Sequence, residues 1–558
     1  LEKAALKKIV LYYPLQSDPA RGLVTSFHLQ PLSLLAIAAW PIHDGYEVEL
    51  IDGNLYSPEE AHRRAVQACA GALLFGTTGI LGFAVADGLH CTQAVKAAHP
   101  DLPAFIGGWF ASAVPEMQLE TGLYDAVVLG QGELTFRELV GAVERGEALD
   151  GVAGLALWRN GELQRTAPRG VVGWSHLLDN PWHLLDFPAY AERMRQPWHK
   201  HTVEHMSPLP GLGPEDTFTT LSYVSSFGCP LDCAFCCSPE MTGRRWKALS
   251  AERMLDDIEV LWKRWQFDAI HFFDANWGVT EKRVREFAQG LIERGIRIHY
   301  HAYMQADSIV SWSAETLDLL AESGLYAVII GAETGSDETM EMIRKTTRGD
   351  DNLRAARELD KRGISAYCTY LIGFPGEGPE SMLKTIDQCR RMAHECPIAT
   401  PGLWEYMPIP GAALYAPALA QGFDPPGTLD AWGEFYDYRR DTTPGWLTPR
   451  VERMRKLYRH FSGLVGGELR GRIGFWERRA RARLADAEGF ARGWPWGLAE
   501  ARAFQLWHAV EKRLPLWLVG RGERIEKGWK TRRGLASRVE PSQSAPPAST
   551  QRAGAAAR

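Results

Sequence analysis

No apolar run among these 558 residues approaches the roughly 20 needed to cross a bilayer, so no membrane-spanning helix is expected. An excess of one charge is also missing. Sixty-two Lys and Arg against 68 Asp and Glu leave a formal net charge of −6, which does not advertise nucleic acid as a partner of the whole molecule. Cysteine is sparse. Of nine, five (Cys69, Cys91, Cys368, Cys389, Cys396) stand singly and form no disulfide framework, so a reducing cytoplasmic setting is expected. Leu1-Glu2-Lys3 runs toward an apolar strand and shows no secretory signal. The apolar and charged fractions, 45% and 23%, are those of an ordinary globular chain, and the length allows two to four domains.

The other four cysteines fall in one stretch, Gly228-Cys229-Pro230-Leu231-Asp232-Cys233-Ala234-Phe235-Cys236-Cys237-Ser238. Cys229, Cys233 and Cys236 are spaced C-x3-C-x2-C, with an aromatic before the third. Three thiolates in a short loop suit the irons of an iron–sulfur cluster, and leave one iron of a four-iron cluster open to a non-protein ligand. A structural zinc loop lacks its second ligand pair here, and a disulfide would be odd in number and strained. Cys237 lies outside the spacing and reads as a bystander. The motif resembles the signature of the radical S-adenosylmethionine (SAM) enzymes, in which SAM chelates the open iron of a [4Fe-4S] cluster and is cleaved to a 5′-deoxyadenosyl radical.

Ahead of this loop, strands at 7–15, 46–52, 72–76, 104–106 and 126–129 alternate with helices at 31–43, 58–70, 79–99 and 136–145. That alternation predicts an α/β, doubly wound, parallel-sheet (Rossmann-like) domain over residues 1–165, with ligand expected beyond the carboxyl ends of the strands. The glycines at those ends are, one by one, ordinary turn residues. In the order D-G-N, G-T-T-G, G-G-W and G-Q-G-E they resemble the cobalamin-binding domain that precedes many radical SAM domains. The resemblance implies Thr77, Thr78, Gly107, Gly108, Gly130, Gly132 and Glu133 as cobalamin contacts. Asp52-Gly53-Asn54-Leu55-Tyr56 lacks the cobalt-ligating His of D-x-H-x-x-G, so any cobalamin is expected to bind without one.

Residues 166–216, rich in Pro, Trp and His, read as a linker, with His199, His201 and His205 on a polar loop. From 217 to 440, strands at 218–225, 269–274, 297–303, 327–331, 365–372 and 402–407 alternate with five helices, and these repeats resemble the partial (β/α)6 radical SAM barrel. Carboxyl ends of barrel strands face substrate. By the resemblance, Phe235, Asp274, Gln305, Gly331 and Glu333 are SAM-binding; relatives often carry Arg where Gln305 stands. Gly373-Phe374-Pro375-Gly376-Glu377 and Pro408-Ile409-Pro410-Gly411 match family segments or are simply tight turns. Residues 441–526 read as a basic, Trp-rich helical region, either a cap on the barrel or a surface resting on an anionic membrane. The tail from 527 is expected to be disordered.

Taken together, the chain resembles the cobalamin-binding radical SAM enzymes over about residues 5–440. The resemblance implies methylation of an unactivated carbon: one SAM supplies the methyl group by way of cobalamin, and a second generates the substrate radical. It also implies a small-molecule or natural-product substrate and an electron donor such as flavodoxin or ferredoxin. A cyclase or rearrangement enzyme of the same build and a non-catalytic cobalamin or redox sensor stay open. A methylthiotransferase is disfavoured, because only Cys69 and Cys91 precede the motif.

Overall fold

Each apolar run of the first 165 residues becomes a strand flanked by helices. The computed structural model describes residues 7–17, 30–195, 209–210, 217–435, 447–465 and 474–511. In it, β1 (Lys8–Tyr13), β2 (Glu47–Asp52), β3 (Leu74–Thr78), β4 (Ala104–Gly107) and β5 (Ala126–Val128) form a parallel sheet in the order β2-β1-β3-β4-β5. Ile9, Val10, Leu11 and Tyr12 of β1 are all fully buried, as a central strand covered on both faces requires. Strand order reverses between β1 and β3, which is where sheets of this kind take ligands. Two strands not expected from the sequence, β6 (Leu155–Arg159) and β7 (Glu162–Arg165), extend the sheet antiparallel from β5. Their two-residue turn is Asn160-Gly161, both at positive φ, as a tight hairpin demands.

The stretch read as a linker contains a helix, Phe187–Met194, that works as a strut. Its Tyr190 hydroxyl donates to Asp52 at the end of β2, and its Arg193 donates to the Leu55 carbonyl. At its other end Phe187 stacks on Trp265 of the barrel, with ring centroids 4.9 Å apart. His199, His201 and His205 lie outside the described residues.

The barrel begins with β8 (Thr220–Tyr223). After a hairpin, β9 (Ser226–Gly228) and β10 (Trp246–Ala248), it continues through β11 (Ala269–Phe272), β12 (His299–Met304), β13 (Leu325–Glu333), β14 (Ser365–Ile372) and β15 (Thr400–Glu405). These six strands, β8 and β11 to β15, run parallel and neighbour one another in sequence order, so the sheet is open, with β8 and β15 at its edges. An unpaired edge invites other strands, and both edges are covered. The Gln30 side chain pairs like a short strand with β8, donating to the Thr220 carbonyl (3.0 Å) and accepting from the Ser222 amide (2.9 Å). On β15, Tyr458 donates to the Pro401 carbonyl (2.6 Å) and Arg455 pairs with Glu405.

Tyr458 and Arg455 belong to the helix Pro449–Val465. With helices Gly474–Ala485, Ala487–Ala491 and Gly497–Glu511, it packs Val451, Leu457, Phe461 and Trp494 into the barrel's own core. The basic residues there are answered locally: Arg479 and Arg483 pair with Glu500, and Arg481 with Glu477. This is the cap arrangement. Among the described residues no helix is long and apolar enough to cross a membrane. The tail from 527 lies outside the described residues.

Between barrel and cap the chain doubles back. Helix Leu429–Phe435 packs on helix Phe83–Ala98 of the first sheet. Trp432 meets Phe110 edge-on at 5.4 Å, and a Cβ on Gly433 would lie 2.7 Å from the Ala86 Cβ.

Candidate cofactor site

The cysteine loop is an excursion inside the β9–β10 hairpin. Trp246 pairs with Gly228 in the antiparallel ladder, so the segment from 229 to 245 is tied off at its base. Only glycine fits at 228. Its φ is +79°, and a Cβ there would lie 2.1 Å from the Arg245 carbonyl oxygen. Beneath the hairpin, Asp274 accepts from the Ser225 amide (3.1 Å) and hydroxyl (2.7 Å) and from the Ser226 hydroxyl (2.5 Å). Buried Arg283 donates to the carbonyls of Ser225 (3.2 Å) and Leu249 (2.8 Å). The middle of the loop is held at Ala234, which donates to the Ile343 carbonyl (2.9 Å) and accepts from the Leu414 amide (2.8 Å). Phe235 meets Phe374 at 5.9 Å, and Phe374 meets Tyr406 at 4.9 Å, giving the loop an apolar wall. Phe374 lies in a turn that Glu377 clasps, accepting from the amides of Gly373 (2.7 Å) and Phe374 (3.2 Å).

Cys229, Cys233 and Cys236 sit close enough to influence one another's ionisation, and burial dominates two of them. It pushes the Cys229 thiol up and the Cys233 thiol up to about 12. Cys236 goes the other way, to about 7, because the Cys237 thiol hydrogen-bonds to it; the Ser238 amide also donates to its sulfur (3.4 Å). Cys237 is pushed up in turn.

Facing the thiols is a carboxylate on a strained backbone. Glu333 ends β13 where the pairing with β14 slips at a bulge between Gly331 and Glu333, and its φ is +58°. Such a conformation costs a side-chain-bearing residue about 1–2 kcal/mol, and here it turns the carboxylate back over Gly331. A Cβ on Gly331 would lie 2.4 Å from Glu333 Oε1. Burial pushes the Glu333 carboxyl up, opposed by Lys345, whose Nζ lies 3.4 Å from Oε1. Lys345 is itself only 5% exposed, and its ammonium stands 5.9 Å from the Phe235 ring centroid. Its charge reaches all three thiols.

Of the SAM residues expected from sequence, Phe235, Gly331 and Glu333 therefore converge on the cysteine loop. Gln305 follows β12 and keeps a buried side-chain oxygen with no partner among the described residues. Asp274 is 1% exposed, and its oxygens accept three hydrogen bonds from Ser225 and Ser226 in holding the hairpin. Lys345 carries no motif or periodic signal in the sequence.

At the first sheet, Gly107 ends β4 and Gly108 follows it, while Gly130, Gly132 and Glu133 follow β5, all partly exposed. Thr77 and Thr78, at the end of the neighbouring β3, are 4% exposed, with the Thr77 hydroxyl donating to the Tyr12 carbonyl (3.0 Å). Burial raises the Glu133 carboxyl. These ends meet the cysteine loop. A Cβ on Gly130 would lie 3.9 Å from the Met241 carbonyl, and one on Gly411 would lie 3.4 Å from Ala113 and 3.8 Å from Cys237.

The thiol set fits a multi-iron cluster better than a single ion. Among the described residues no three His, Cys, Asp or Glu side chains close around one metal, whereas a cluster takes one thiolate per iron and keeps its ligands apart. A buried ammonium beside three thiols offsets the negative charge that ligation gives them.

Residues 223–389, which hold the cysteine loop and most of the open six-stranded sheet, match the family model described as the Radical SAM superfamily. Similarity extends beyond that domain. The chain is 26% identical to an uncharacterized methyltransferase of Pyrococcus horikoshii over 407 residues, 72% of this chain and 83% of that one. It is 26% identical over 367 residues to the cytidylyl-2-hydroxyethylphosphonate methyltransferase of Streptomyces wedmorensis, covering 61% of this chain and 65%, just under two thirds, of that relative's length. The radical SAM methyltransferase TsrM of Kitasatospora setae, solved with cobalamin and a [4Fe-4S] cluster bound, shares the fold with a TM-score of 0.58 and 17% identity, over 87% of this chain and 100% of that one.

Proposed function

We propose that this chain is a cobalamin-dependent radical SAM methyltransferase acting on an unactivated carbon of a small molecule. The observation that carries the reading is the shared interface. Gly130, just past β5, lies beside the Met241 carbonyl of the cysteine loop, and Gly411, after the last barrel strand, sits against both Ala113 of the first domain and Cys237. A reaction that passes a group between two cofactors needs their sites side by side and shielded from water. The named methyltransferases among the relatives agree with it.

In this reading Cys229, Cys233 and Cys236 ligate a [4Fe-4S] cluster, and Cys237, hydrogen-bonded to Cys236, does not. Glu333 and Lys345 form a charged pair suited to the amine and carboxylate of SAM. Phe235 supplies an apolar face for the adenine, and the unpartnered oxygen of Gln305 is a further acceptor. Gly107, Gly108, Gly130 and Gly132 let a cobalamin approach the backbone, with Thr77, Thr78 and Glu133 beside it. Asp52 is engaged by Tyr190 and Asn54 and offers cobalt no ligand. When bound, the cofactors supply radical formation and methyl transfer, which no side chain performs alone.

The test is anaerobic reconstitution with iron, sulfide and hydroxocobalamin, then reduction in the presence of SAM. Both 5′-deoxyadenosine and S-adenosylhomocysteine are expected, with cobalamin retained after desalting. Deoxyadenosine alone would move the assignment to a cyclase or rearrangement enzyme. Neither product from an intact cluster would make the protein a sensor. Replacing Cys229, Cys233 and Cys236 with Ala should abolish cluster and cleavage together, while Cys237→Ala should spare both.

A further inference from the structure

One side of the cysteine loop faces the first sheet; the other faces solvent. Its lip, between the first two cysteines, is exposed at Pro230 and partly exposed at Leu231 and Asp232. Two arginines from separate segments reach the same Asp232 oxygen, Arg244 at 3.7 Å and Arg344 at 3.6 Å, with side chains 60% and 57% exposed. Arg245 and Lys247 on the first segment and Arg348 on the second are exposed as well. Between 242 and 250, and again between 342 and 349, no acidic residue interrupts these cations, in a chain whose net charge is −6.

The two arginines share a second peculiarity. Arg244 has φ +57° and Arg344 φ +56°, a left-handed backbone that side-chain-bearing residues avoid and that collects where function over-determines it. Stability does not account for them, because exposed pairs at such distances contribute little. Both flank the lip of the cysteine loop through their contact with Asp232.

We infer that this arginine-flanked lip is the docking surface for an acidic one-electron carrier protein, an inference that rests on the cluster assignment above. Carrier encounters are small and transient, so charge rather than buried area guides them. Carboxylates of the carrier displace the weak contacts of Asp232 and take up Arg244 and Arg344. One electron then leaves the reduced carrier and enters the oxidised cluster; no bond forms or breaks and no proton moves.

The experiment is stopped-flow reduction of the reconstituted holoenzyme by photoreduced flavodoxin, an acidic carrier, and separately by dithionite. At low ionic strength the R244E/R344E variant should lose at least tenfold in the second-order rate with flavodoxin, within the 10–10³ that steering contributes. The wild-type rate should fall with added salt and the variant's should not, while dithionite reduces both alike. K282E/R492E carries the same change in net charge on exposed sites away from the loop, and should stay within twofold of wild type. Equal flavodoxin rates in all three proteins, or equal losses in both variants, overturn the docking surface. Wild-type protein that never acquires the visible absorbance of a cluster overturns the cluster assignment, and this inference with it.

Discussion

Replacing Lys345 with Met tests the electrostatics of the site directly. Met keeps most of the aliphatic stem beside Phe235 but removes the ammonium 3.4 Å from Glu333 Oε1. Both partners are almost wholly buried, Lys345 at 5% exposure and Glu333 at 6%. Removing one member of a buried pair leaves the other charge uncompensated, which costs about 3–5 kcal/mol. At the lower figure, and an m-value of about 3 kcal/mol/M, the urea midpoint of the barrel should fall by ~1 M. The double variant K345M/E333Q removes the stranded charge and should recover at least ~1 kcal/mol relative to K345M alone, a coupling read from the double-mutant cycle. Glu333 is already pushed up by burial, so without Lys345 it rises further. The stability lost in K345M should therefore shrink as pH is lowered and the carboxyl takes up its proton. Additive behaviour of the two substitutions, or a K345M penalty under ~0.5 kcal/mol, would refute the view that these groups form one charged unit facing the cysteines.

Asp274→Ala strips the hairpin of three hydrogen bonds and should cost about 3 kcal/mol. Iron content after reconstitution should drop while cobalamin retention does not; full iron loading would show that the hairpin needs no such anchor. Asp52, raised by burial from 3.8 to about 6, holds its proton more tightly folded than unfolded. Its contribution is fully present below pH ~4 and is lost as pH rises through about 6, a span worth about 3 kcal/mol. Asp52→Asn should flatten that part of the stability profile, and an unchanged slope between pH 4 and 6.5 would contradict it. Gly433→Val forces a side chain against Ala86 and should destabilise the contact between helices Leu429–Phe435 and Phe83–Ala98 by about 1–3 kcal/mol. A lower urea midpoint, with iron retained, is the expected readout.

Long, regular segments were legible in sequence. Strand β14 has the expected bounds, 365–372. The hairpin β6–β7 carried an Asn160-Gly161 signal that the parallel pattern before it obscured. The hairpin β9–β10 carried almost none. Its strands are three residues each and pair across a long excursion, so local patterning says nothing of their register. The cysteine spacing was explicit, since its chemistry is local. The surroundings of the cysteines were harder to read. Glu333 faces them by virtue of a bulge, and Lys345 by virtue of Glu333, neither of which has a periodic trace. The hairpin-holding role of Asp274 was hidden because β11 ends at Phe272, two residues sooner than expected, and the chain then turns the carboxylate inward under Ser225.

The two backbone bonds at Ala234 bear on the order in which the protein is made. The hairpin that carries the cysteines closes within about twenty residues, so its thiols are assembled soon after the ribosome has passed them. The partners of Ala234, Ile343 and Leu414, emerge far later in synthesis. Early in its life the loop is therefore an open clasp, reachable by machinery that delivers iron and sulfide. It shuts only when the last barrel strand and the turn after it are in place. Loading while the chain is still growing, rather than after release, is the route that this architecture favours, and a chain truncated before residue 414 should take up iron readily and surrender it quickly to a chelator.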